Sequence, residues 1–294
     1  MAIQYSGGTN INSTFTNTSG TRREIVDGLV AALTAAGWST FSGGGTGDVK
    51  MKTAITPQGN QIMVRIYDPG SGNCARIQLN SPDGVRVQVG NIHLFPAAGK
   101  IWRVIACKYQ FFIFVTGSIT CREFATASAV YIPPFLTTTT TSGFLVGQAK
   151  SDTDTNTSGA FVRTMMAAYH SGYNGHQNSA CLNNMTLFET DNLTNNNAYG
   201  AVTMAVPYST NAFGGGYTTP YRWADNSWQA VDPLVGWGSN SVLDEPLIRG
   251  QLWDSIVVGE SMPSDITIPF DNRTFWNMTA NNPVSRHSLF VYVP

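Results

Sequence analysis

The sequence predicts an α+β protein that is mostly antiparallel β: a helix-on-meander N-terminal domain followed by a β-sandwich-like domain with long loops. Three observations lead there. One strongly capped amphipathic helix stands near the start of the 294 residues. Short runs of alternating apolar and polar side chains follow it, each closed by Gly, Pro, Asn or Asp. The end of the chain, residues 249–294, repeats that pattern in β-branched and aromatic residues.

Residues 1–20 are rich in Gly, Thr, Asn and Ser, with isolated Ile3, Tyr5, Ile11 and Phe15. They read as an extended arm able to add a strand to a neighbouring subunit. Thr21 and Glu24 then form a T-x-x-E capping box. Ile25, Val26, Leu29, Val30 and Leu33 lie on one helical stripe, and Gly37 stops the helix ahead of Trp38. The helix is expected over residues 21–36.

Val49, Met51, Thr53 and Ile55 alternate after it, Pro57–Asn60 turn the chain, and Ile62, Val64 and Ile66 alternate on the return. A second turn leads to Ala75, Ile77 and Leu79, and the Ser81-Pro-Asp-Gly84 turn to Val85, Val87 and Val89. Residues 101–107 and 111–116 form a hairpin, and 124–132 a further strand. One apolar face covered by one helix is the economical arrangement. Pro133-Pro134 and the threonines at 137–141 suggest a boundary. The expected units are therefore an arm (1–20), an α+β domain (21–133) and a β-rich domain (134–294). In the last unit, strands are expected at 255–258, 266–270, 274–278 and 288–293, broken at Pro263-Ser264, Asp271-Asn272 and Asn281-Asn282-Pro283.

The closing stretch RGQLWD, followed by DNRTFWNMT, resembles the ends of virion proteins of tailed bacteriophages encoded among tail and baseplate components. The opening MAIQYSGGTNIN, followed by a short helix ending in Gly-Trp, resembles the starts of some of them. This resemblance implies a structural protein in the virion tail, assembled in the host cytoplasm and acting through subunit contacts. The arm residues Ile3, Tyr5, Ile11 and Phe15 and the closing residues Trp253, Phe275 and Trp276 are then the expected contacts. Their partners would be copies of the chain itself, as trimer or hexamer, or other virion proteins. A receptor- or glycan-binding fibre module and a capsid decoration protein are the alternatives.

Composition excludes other classes. Charged residues are 12% of the chain, about half the usual share, so the polar surface is made of Thr, Asn, Ser, Gly and Gln. Such a surface suits close subunit packing, because like charges seldom face one another. The net charge of −1 offers no basic stripe for nucleic acid. Arg22-Arg23 and Lys50/Lys52 read as solvated charges. No apolar run is long enough to insert in a membrane, and the opening residues carry no basic or apolar signal-peptide region. Cys74, Cys107, Cys121 and Cys181 lack metal-ligand spacing, and Cys107 reads as a small buried hydrophobe rather than half of a Cys107–Cys121 bridge.

Catalytic and metal-binding signals are weak. His170 and His176 lie in a Gly-rich stretch without helical i,i+4 spacing. Asp225, Asp232, Asp244 and Glu245 bracket Trp223, Trp228 and Trp237, a composition seen in sugar-processing clefts, but spacing alone cannot set the carboxylate separation that hydrolysis requires. Neither an enzyme nor a cofactor is expected. Tyr217, Tyr221, Trp223, Trp228 and Trp237 are candidates for contact with a host surface glycan or receptor, since aromatic faces stack on sugars.

Overall fold

The structure, a computed structural model, describes residues 3–43, 47–71, 74–80, 92–94, 98–115, 123–134, 142–147, 180–189, 199–205, 230–231, 234–237, 247–258, 263, 265–278 and 288–294. In chain order the first elements are β1 (Ile11–Thr16), α1 (Arg22–Ala35), β2 (Ser39–Gly43), β3 (Asp48–Lys52), β4 (Met63–Tyr67), β5 (Ala75–Asn80), β6 (Ile92–Leu94), β7 (Ile101–Cys107), β8 (Gln110–Val115) and β9 (Glu123–Ala129). The later ones are β10 (Gly143–Gly147), β11 (Ala180–Glu189), β12 (Tyr199–Ala205), β13 (Ala230–Val231), β14 (Leu234–Trp237), β15 (Leu247–Gln251), β16 (Ser255–Val258), β17 (Thr267–Phe270), β18 (Arg273–Asn277) and β19 (Ser288–Val293). All the strand pairs among the described residues are antiparallel, so the mostly antiparallel α+β class holds.

The helix forms where its caps predict. The Glu24 carboxylate accepts the N–H groups of Thr18 (2.9 Å), Ser19 (3.1 Å) and Thr21 (3.2 Å) and the Thr18 hydroxyl. At the far end the Trp38 N–H bonds to the Leu33 carbonyl and the Gly37 N–H to that of Thr34, both at 3.0 Å. Gly37 sits at φ +91°, so the ending is a Schellman motif. Gly28, inside the helix, has a packing reason: a Cβ there would lie 2.6 Å from the Trp102 indole.

These hydrogen bonds, the Thr18 hydroxyl first, hold the Glu24 carboxyl at about 2, below its ordinary 4.5. A depressed folded-state value contributes stability that is present above the unfolded value and lost as pH falls through the folded one. Glu24→Gln is therefore expected to lower the urea midpoint by a constant amount above pH 4.5. The gap should close as both proteins are taken down to pH 2. A gap that persists at low pH would show that shape, not charge, makes the cap.

The meander divides where the sequence suggests continuity. Strands β2–β6 form one five-stranded sheet, but β7–β9 leave it and pair with β1 in a nine-stranded sheet of order β1-β7-β8-β9-β10-β11-β12-β14-β15. The physical cause is the helix. Its buried stripe, Ile25, Val26, Leu29 and Leu33, lies in one core with Met51, Val64, Ile66, Ile77 and Leu79 of the first sheet. Trp102, Val104, Ala106, Phe111 and Ile113 of the second sheet close the same core. Helix and meander thus need a second apolar layer, which the 101–115 hairpin supplies. Ile55 falls beyond β3 and is 63% exposed, so the alternation read through it ends early. Val85, Val87 and Val89 lie outside the described residues.

The division expected at 133/134 is crossed by hydrogen bonding. β9 pairs with β10 from Gly143↔Ala129 to Gly147↔Ala125. The same sheet continues to β15, where Gln251 bridges back to Tyr131 just beyond β9. Strands β9, β10, β11, β12, β14 and β15 therefore curl until the last meets the extension of the first. The remaining five strands form a third sheet, β13-β16-β19-β18-β17. The closing strands stand within a residue of expectation, and Asp271 and Asn272, at φ +49° and +57°, make the tight turn joining β17 to β18.

Candidate functional site

The opening stretch MAIQYSGG and the closing stretches RGQLWD and DNRTFWNMT meet in space. Residues Gln4–Ser6 lie against the bend at Asp254 that leads into β16. The Asp254 N–H donates to the Gln4 carbonyl (2.8 Å), and Asp254 Oδ1 accepts the Ser6 N–H (3.0 Å). Asp254 sits at φ +49° and is 2% exposed. On its other side, its carbonyl accepts the Tyr292 N–H of β19 at 2.8 Å. One aspartate therefore ties the opening segment to the closing sheet.

Tyr5 completes the joint. Its hydroxyl donates to Asp271 Oδ2 at 2.7 Å, and the Arg273 guanidinium lies 3.4 Å from its ring centroid. Burial, and then the bond to Asp271, push the Tyr5 phenol upward from its ordinary value. Ile3 and Tyr5 pack on an apolar cluster of Ile256, Ile268, Phe275 and Phe290, with Phe270 and Tyr292 at its margin. The opening segment is thus the cover of one face of the third sheet. Ser6 reaches inward, its hydroxyl donating to Asn10 Oδ1 at 3.4 Å on the side of the buried Cys107 thiol. Burial above all, and then the Asp254 charge, raise the Cys107 thiol.

The RGQLWD stretch is locked from below. Gln110 acts as a strand in miniature: its Oε1 accepts the Trp253 N–H at 2.9 Å, and its Nε2 donates to the Trp253 carbonyl. The Trp253 indole N–H donates to the Ala129 carbonyl at 2.7 Å, and its ring meets Tyr109 and Tyr131 at centroid distances of 4.7 and 5.4 Å. Arg103 of β7 lies 3.9 Å over the Trp276 ring and bonds Asn12 of β1.

These placements bear on the candidate contacts. Trp253, Phe275 and Trp276 are buried within the chain. Ile11 and Phe15 are half-buried on its main core, Phe15 stacked on Trp102 at 4.3 Å. Residues 11–16 are β1, paired with β7 of the same chain from Ile11↔Ala106 to Thr16↔Ile101. The arm read from residues 1–20 is therefore an edge strand preceded by a short docked segment, because β7 offers Ile11 and Phe15 an apolar partner close at hand. Cys107 is free and 1% exposed, as a buried hydrophobe should be.

Trp237 closes β14, paired with Val202 and Leu247. Tyr217, Tyr221, Trp223 and Trp228 lie outside the described residues, as do His170, His176, Asp225, Asp232, Asp244 and Glu245. Among the described residues no His, Cys, Asp and Glu group could hold a metal ion, and no helix is long and apolar enough to cross a membrane. Of the basic pairs, Arg22 and Arg23 form ion pairs with Asp68 (2.6 Å) and Asp27 (2.7 Å), while Lys52 lies over Phe41.

Composition and periodicity missed Ser6, Gln110, Asp254, Asp271 and Arg273. Four of them sit inside the two terminal motifs, the signal that would have found them. Gln110 had no such mark. The arrangement is built to hold two distant segments together. The chain matches no family model and has no significant match among curated proteins.

Proposed function

We propose that this chain is a structural protein of a tailed-bacteriophage particle, in the tail, baseplate or fibre region, acting through contacts with copies of itself and with other virion proteins. The observation that carries the reading is the joint between the termini. The residues through which both ends resemble tail-module proteins are the ones that touch: Tyr5 and Ser6 on one side, Asp254, Asp271 and Arg273 on the other. A shared motif that makes one physical unit is better explained by a common scaffold than by two separate likenesses. The low charge supports the same reading, since weakly charged β surfaces pack densely.

Imaging intact particles labelled with an antibody against the chain tests it. Label at the tail tip or fibre is the expected result. Label over the head would replace the tail reading with capsid decoration, and absence of label from particles would overturn both. Should purified chain bind host cells, Trp223→Ala and Trp228→Ala would separate a glycan-binding fibre module from a purely structural part.

A further inference from the structure

We infer that the opening segment, Ile3–Ser6, is an exchangeable strap, and that a second copy of this chain is the partner whose strap fits the same seat. The seat is a built one. It offers Asp254 for the Ser6 N–H, Asp271 for the Tyr5 hydroxyl and Arg273 for the Tyr5 ring, over an apolar floor of Ile256, Ile268, Phe275 and Phe290. Every one of these contacts is between the strap and residues 254–292, and none depends on which chain supplies the strap. The connection to β1 is short and bends at glycine. Gly7 stands at φ +65°, with nothing within 4 Å of where a Cβ would be, and Gly8 follows, where a Cβ would meet only the flexible Lys108 side chain at 3.3 Å. That is the form of a swap hinge: open space at a left-handed glycine, and a specific terminal element beyond it.

Exchange leaves the strap's own contacts unchanged, so concentration decides between the two forms. A short tether gives the chain's own strap an effective concentration on the order of millimolar. Free chains at micromolar concentration keep their own straps, while copies packed side by side reach concentrations where exchange competes. The inference rests on the particle reading only for that crowding; the surface and its partner are properties of the chain itself.

The native thiol of Cys107 makes a test available. The Ser6 side chain faces that sulfur, so Ser6→Cys places a second thiol near it. Unlabelled and nitrogen-15-labelled full-length Ser6→Cys chains are mixed, unfolded, refolded together, oxidised and digested. Peptides joining Cys107 to the introduced thiol are then weighed. A light–heavy pair arises only when one chain's strap occupies another's seat. The expected result is light–heavy pairs that increase about tenfold between ~20 and ~200 µM chain. Light–light and heavy–heavy pairs alone, at every concentration, would overturn the exchange. Where the buried Cys107 thiol resists oxidation and no linked peptide forms, the second readout decides. Size exclusion of the unaltered chain refolded at both concentrations is the second readout. A larger species that Tyr5→Ala removes supports exchange, and a monomer throughout refutes it. Failure here leaves the particle label untouched, and a chain absent from particles leaves the exchange standing.

Discussion

Gly250→Ala is expected to destabilise the chain by about 3 kcal/mol, the upper end of ordinary overpacking. A Cβ at this position would lie 1.6 Å from Val130 Cγ2 and 3.0 Å from the Tyr131 carbonyl oxygen. Neither can retreat cheaply. Val130 is fully buried, and the Tyr131 carbonyl accepts the Gln251 N–H at 2.8 Å, the bond that brings β15 back to the extension of β9. Gly59→Ala is the matched control. Gly59 stands at φ +84° with nothing within 4 Å of its missing Cβ, so it should cost only the left-handed backbone penalty, about 1 kcal/mol. Urea unfolding of both variants gives the comparison. If Gly250→Ala costs no more than Gly59→Ala, the close approach of the two segments is wrong.

Trp253→Ala should cost about 3–5 kcal/mol in the isolated chain. The side chain is 3% exposed, tilted against Tyr109, edge-on to Tyr131 and bonded through its indole N–H to the Ala129 carbonyl. The alanine variant would leave a cavity where the RGQLWD stretch meets the nine-stranded sheet. It would also loosen the neighbouring Asp254, on which the strap hangs. Trp253→Phe keeps most of the ring and removes the hydrogen bond, so a loss of about 1–2 kcal/mol is expected from it. The measurement separates two roles. A tryptophan serving a partner would leave the isolated chain as stable as before and weaken only its assembly. A core tryptophan costs stability at any dilution, and the structure places Trp253 in the core.

That contrast marks the limit of reading aromatic residues from sequence. Ile3, Tyr5, Phe275 and Trp276 look like contact residues because they are large, apolar and near the chain ends. Most of that surface is consumed within the chain: Phe275 is fully buried under the strap and Trp276 lies beneath Arg103. Composition sets how much apolar surface must be covered, and it is silent on whether the cover is the same chain or another. For the strap both answers are physically available, since its contacts with the seat are identical either way.

Local chemistry was legible in residues. The Thr21–Glu24 box and Gly37 bound the helix because each satisfies backbone groups within one turn of itself. The Asp271-Asn272 turn sets the register of β17 and β18, from Phe270↔Arg273 to Thr267↔Trp276, because two residues at positive φ leave the strands one way to meet. The alternation of Val64, Ile66, Ile77 and Leu79 announces a buried face. These features involve neighbours a few residues apart, and side-chain type alone determines them. Only the tertiary structure decided that 101–115 leaves the meander so that β7 pairs with residues 11–16, that one sheet runs across Pro133-Pro134, and that Asp254 joins the first residues to the last strands. Alternation says that a strand has a dry side. Which distant segment keeps it dry depends on the whole chain closing around the helix at once, and no single stretch of sequence carries that information.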